Sequence, residues 1–235
     1  MLSFKIRKLY YLFYFSLILF SPASFSSDFR TNKYYDGMMG NVYVRIPERY
    51  ALLLQYEKNQ HGTIAKFRGN TVLARKIAAF RFDVTYPKME STPRNAYGYH
   101  PDNVGVGVNS NSNDGNENTH HGDVHVNYLL SGREYGSNYS LVGNEFGMKK
   151  YINSTSLPGR ADKYLFTHNG ADGHIDVYIT CSDTASYTAS CEMSFDLPEA
   201  MRSEARVLFR IGMVNDWMKI KASVSDLISG FSVNQ

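Results

Sequence analysis

Four side chains able to bind a metal or move a proton fall within six residues of this chain: His120, His121, Asp123 and His125, with His100 twenty positions earlier. Imidazole and carboxylate suit zinc or copper. Val124, Val126 and Tyr128 alternate with His125 and Asn127, which predicts a strand. On a strand, 121, 123 and 125 project to one side. That alternation also argues against a metal, because Val124 and Val126 then take the buried face and turn the trio to solvent. The spacing matches no established zinc pattern. The expectation is therefore no metal and no cofactor, with His121, Asp123 and His125 the ligands if a metal were bound.

Other chemistry is harder to find. Residues 109–120 carry the Asn and Asp of a calcium loop, but the glycine is seventh from Asn109 instead of sixth, and the bidentate glutamate is missing. The run Gly143-Asn-Glu-Phe-Gly-Met-Lys149 lacks the spacing of a phosphate-binding loop. No G-x-S-x-G, H-E-x-x-H or lone catalytic cysteine is present. A hydrolase triad assembled from distant His, Asp and Ser stays open as an alternative, but the expectation is a protein that is not an enzyme.

The segments around these residues begin with an export signal. Lys5, Arg7 and Lys8 precede an apolar run over 9–20, and Ser24 and Ser26 supply the small residues a signal peptidase reads. The reading is a signal peptide over 1–26, cleavage near Ser26 and an exported protein. No cysteine follows the apolar run, so no lipid anchor and no stable membrane attachment is expected. The chain has 25 Lys+Arg and 22 Asp+Glu, and the leader holds three of the basic residues and none of the acidic ones. The mature chain is thus neutral by count, without the basic footprint that nucleic acid or anionic lipid requires.

The remaining 209 residues suit a single domain over 27–235, with two small subdomains split near 90–122 as the alternative. A chain of that size buries roughly 70% of its unfolded surface. The two cysteines, Cys181 and Cys191, end two alternating runs, Ile175-Val177-Ile179-Cys181 and Cys191-Met193-Phe195-Leu197. In an exported chain this predicts a disulfide closing the loop end of a hairpin.

Further strands are predicted over 42–46, ending at Pro47, over 76–86, ending at Pro87, over 164–167 and over 207–211. Residues 88–122 and 131–160 read as long loops, and the Asn/Ser tract over 109–119 has no apolar residue. Asn215 or Asp216 can cap a helix whose stripe is Trp217, Ile220, Val224, Leu227, Ile228 and Phe231, with Gly230 as its stop. The fold class expected is α+β: antiparallel sheet with a C-terminal amphipathic helix packed on it, and long loops.

Two groups of segments carry a resemblance. One is Val44-Arg-Ile-Pro-Glu-Arg-Tyr50 followed by Ala79-Phe-Arg-Phe-Asp-Val-Thr-Tyr-Pro-Lys-Met89. The other is Cys191-x-Met-x-Phe195, Val207-Leu-Phe-Arg-Ile211, Asp216-Trp-x-x-Ile220 and Leu227-Ile-x-x-Phe231. Over about a third of its length, the chain resembles periplasmic immunity proteins of type VI secretion effectors, the phospholipase-effector subgroup above all. The resemblance implies stoichiometric blockade of a cognate toxin, which needs shape, aromatic anchors and complementary charge but no catalysis. Aromatic and His-rich loops are the contacts expected: Tyr97, Tyr99, His100, His120, His121, Tyr135 and Tyr139. An envelope ligand-binding or assembly protein is the alternative class.

Overall fold

The computed structural model describes residues 33–58, 63–67, 70–92, 100–110, 120–133, 137–155, 162–182 and 189–233, with backbone alone for 63–67, 70–73 and 162. The leader, Tyr97, Tyr99, Tyr135 and most of the Asn/Ser tract lie outside them.

The described chain is mostly β. Its strands are β1 (Tyr34–Met39), β2 (Val42–Pro47), β3 (Leu53–Tyr56), β4 (Thr63–Phe67), β5 (Asn70–Ala74), β6 (Ile77–Thr85) and β7 (Glu90–Ser91). They continue as β8 (Asn103–Ser110), then α1 (His121–Leu130), β9 (Tyr139–Glu145), β10 (Met148–Asn153), β11 (Asp162–Asn169), β12 (Ile175–Ser182), β13 (Ser190–Asp196), β14 (Ser203–Arg210) and α2 (Trp217–Ser229). Ten strands form one sheet in the order β3-β6-β8-β14-β13-β12-β11-β10-β9, with β7 beside β6. The strand pairs described within this sheet are antiparallel. The α+β expectation is thereby corrected: a large antiparallel sheet dominates, and two helices of 10 and 13 residues lie against it.

Period-2 alternation explains the central strands. Phe80, Phe82 and Val84 of β6, Val104, Val106 and Val108 of β8, and Ala205, Val207 and Phe209 of β14 are all buried in one cluster. Cys191, Met193 and Phe195 of β13 and Val177, Ile179 and Cys181 of β12 extend it. Helix α2 closes this inner face with Trp217, Ile220, Val224 and Ile228, the stripe its spacing predicts. Each such side chain contributes about 1.5–3 kcal/mol by leaving water. Asp216 stands at the N-cap position without a capping hydrogen bond; its carboxylate accepts Lys219 Nζ at 2.8 Å instead. Beyond α2 the chain joins the β1–β2 hairpin, where Arg45 N–H donates to Phe231 O at 2.8 Å and Val233 N–H to Tyr43 O at 3.0 Å.

Three sequence expectations are overturned here. The stretch read as a strand over 124–128 is helical, in α1, with Val126 buried and Val124 55% exposed. The buried residues Gly122, Val126 and Leu129 sit at helical steps of 4 and 3, a period that the Val/His alternation hid. The loop expected over 131–160 contains the β9–β10 hairpin, and the loop expected over 88–122 contains β8, a strand in the middle of the sheet. In β8 the valines alternate with Gly105 and Gly107, and the glycines disguise a buried strand as a turn.

Candidate functional site

Helix α1 lies on the outer face of the sheet, opposite α2. Val126 and Leu129 pack with Leu165 of β11 and Tyr178 of β12, and Leu130, Tyr139, Tyr151 and Ile175 border this second cluster. Contact is closest at Gly122, where any Cβ would overlap the Ile175 carbonyl oxygen. Only glycine lets the helix come down this far.

One carboxylate then fastens the helix. Asp123 accepts the Ile175 N–H at 2.9 Å and pairs with His174 Nδ1 at 2.6 Å. The Ile175 N–H and then the His174 bond hold the Asp123 carboxyl below the usual carboxylate range. The His174 ring stacks on His120 with centroids 3.7 Å apart and planes 11° from parallel. His125 lies over Tyr178, centroids 4.8 Å apart. Burial pushes the Tyr178 phenol up to about 12. Four of the seven histidines thus gather between α1 and the start of β12, counting His121 on the first turn. His174 belongs to this group through the fold, and no local spacing announces it.

On the inner side of the same strand, β12 pairs His168 with Val177 and Asn169 with Ile175, leaving Asp176 as an extra residue. This bulge re-aims Asp176. Its carboxylate meets His168 Nδ1 at 2.6 Å and Lys221 Nζ of α2 at 3.0 Å. Burial alone would raise the Asp176 carboxyl, but the His168 and Lys221 bonds together hold it below its ordinary value.

Among the described residues, no group of three or more His, Cys, Asp or Glu is placed to hold a metal ion. The helix separates the trio: Asp123 is committed to β12, His125 lies on Tyr178, and 123 is turned about 200° from both 121 and 125.

The expected contact residues also separate. Register carries Cys181 through Cys191 to Phe209 at one end of the sheet, and Val177 through Phe195 and Ala205 to Val108 at the other. His100 is exposed at the disulfide end, where its backbone carbonyl accepts Asn103 N–H, 3.6 Å from Asp102 by its ring. His120 and His121 lie at the opposite end, with Tyr139 under the far end of α1. The exposed side of α1 adds Val124 and Tyr128, one helical turn apart, which sequence reasoning placed otherwise.

At the disulfide end Cys181 and Cys191 are directly paired across the hairpin and bonded, as expected, with no free cysteine among the described residues. A cavity of about 350 Å³ opens nearby against Pro101, Ala189, Ile211 and Met213. No helix among the described residues is long and apolar enough to cross a membrane.

No family model matches the chain, and no curated protein matches its sequence. A solved structure does match: an immunity protein of the Stenotrophomonas maltophilia type IV secretion system. The alignment covers 86% of this chain and 94% of that one at 14% identity and a TM-score of 0.56. The two chains share a fold. At that identity the likeness resides in the architecture, not in particular side chains.

Proposed function

We propose that this chain is a periplasmic immunity protein that binds a cognate secreted antibacterial effector and blocks it stoichiometrically, without catalysis of its own. The observation that carries the reading is the fold shared with a secretion-system immunity protein across nearly the whole of both chains. The disulfide supports an oxidising compartment. The finer reading, a type VI effector of the lipase or phospholipase kind, is supported by the sequence resemblance alone, since the structural neighbour serves a type IV system.

The contacts proposed are Tyr97, Tyr99, His100, His120, His121, Tyr135 and Tyr139, joined by Tyr128 on the exposed side of α1. Tyrosine offers a large, stiff contact surface of the kind that dominates interface energies.

The test is affinity capture with tagged residues 27–235 from cells expressing their secretion systems, followed by co-expression. One stoichiometric partner whose periplasmic toxicity is abolished by this protein establishes the reading. A cell still killed by every captured partner refutes it. The alternative, an envelope ligand-binding protein, draws on the cavity at the disulfide end and predicts a co-purifying small molecule in native mass spectrometry.

A further inference from the structure

The β9–β10 hairpin ends the ten-stranded sheet, and no strand pairs with the far edge of β9 among the described residues. Alternation along β10 sorts the two faces of the hairpin. Met148 belongs to the inner core with α2, and Lys150 lies over the Tyr164 and Phe166 rings on that side. Lys149 and Tyr151 therefore face outward, where Tyr151 and Tyr139 border the α1 cluster.

A bulge then sets two apolar side chains beside Tyr151. Lys150 pairs with Gly143 and Tyr151 with Leu141, so Val142 is an extra residue, and Leu141 and Val142 together stand opposite Tyr151. Neither is covered: Leu141 is 59% exposed and Val142 52%. Burial along β9 shows no alternation, with every residue from Ser140 to Asn144 exposed, so these side chains contribute little to the core. A lone exposed apolar residue needs no explanation, but here two of them continue a half-buried tyrosine pair as one strip. Phe146 and Trp217 fix the hairpin turn on the core, so the strip is presented on a stiff frame.

Charge selects the occupant. Glu145 is paired with Lys150 on the inner side, which leaves Lys149 as the charged side chain of the hairpin that shares the outer side with the strip. A second copy meeting the strip about a two-fold axis would offer Lys149 no acid from the same face. We infer that the strip docks the effector through an apolar patch that carries an aspartate or glutamate for Lys149, an inference that rests on the immunity reading. An apolar centre with a charge pair at its rim is the ordinary anatomy of such a contact.

The affinity of the captured effector for purified variants tests the strip. Val142→Asp and Lys149→Glu change exposed side chains and are expected to melt as wild type does. Each sets a carboxylate against the effector's acid and should weaken binding at least about tenfold. Lys149→Glu should also flatten the fall of affinity with added salt. Leu53→Asp, equally exposed on β3 at the opposite end of the sheet, is the control and should bind as wild type does. Wild-type affinity in Val142→Asp or Lys149→Glu overturns the docking strip while the immunity reading stands. So does a wild type that light scattering shows to be a dimer and that Val142→Asp turns into a monomer, because a second copy then covers the strip. A wild type that binds no effector removes the immunity reading itself.

Discussion

Trp217, the first residue of α2, donates its indole N–H to the Phe146 carbonyl at 2.9 Å, across 71 residues of sequence. Phe146 and Gly147 form the β9–β10 turn with φ of +54° and +78°. Two positive φ values suit the tight hairpin turn that matches strand twist, although a phenylalanine adopts that conformation at a cost. The Phe146 ring packs on the core near Phe166, centroids 6.0 Å apart, so the indole bond and ring contact together hold the turn in place.

Replacing the indole checks that link. Trp217→Phe leaves the Phe146 carbonyl unpaired and removes buried volume, with an expected loss of about 2–4 kcal/mol in urea unfolding. Hydrogen exchange should quicken first in β9 and β10. A variant as stable as wild type would show that the hairpin does not depend on α2.

At the other helix, Gly122→Ala forces α1 away from Ile175, whose carbonyl oxygen blocks any Cβ. Overpacking of this kind costs about 1–3 kcal/mol. The measurement is NMR of the His120 and His174 ring protons, whose mutual ring-current shifts should collapse as the stack opens.

Acid stability should depend on Asp123 and Asp176. Both carboxyls lie below their ordinary values in the folded protein. The unfolded chain therefore takes up protons first as pH falls, so the stabilisation is complete above about pH 4–5 and is lost as pH drops through the folded values. Asp123→Asn and Asp176→Asn should each flatten the decline of stability between neutral pH and pH 3, read by denaturant midpoints at each pH. An unaltered slope in both would contradict the proposed role of these pairs.

The disulfide should act on stability alone. Removing it as Cys181→Ser with Cys191→Ser is expected to cost about 3 kcal/mol, the chain-entropy value for a loop of this length. Effector affinity in protein that still folds should stay within a few-fold of wild type. Lost binding with an unchanged melting temperature would instead show that the disulfide itself shapes the effector contact.

Local chemistry made much of this molecule legible in advance. Alternation along 76–86 and around each cysteine, and the helical stripe from Trp217 to Phe231, follow from residue type and period. Those elements bury one face each, so a single sequence window contains the pattern. The same logic failed where a short window admits two periods: around His125, β-prone valines outweighed the Gly122, Val126 and Leu129 spacing until packing on β12 selected the helix. It failed again at β8, where glycines suggest a loop although their neighbours are the middle of the sheet.

What the sequence determined by itself was the polarity of faces, the disulfide partners and the closing helix, because each depends on neighbours a few residues apart. Only tertiary structure decided that His174 joins His120 and Asp123 and that a bulge turns Asp176 to Lys221. These are relations between strands and helices distant in sequence. They arise when the ten-stranded sheet fixes its register and the helices settle on its two faces, and no local pattern encodes that register.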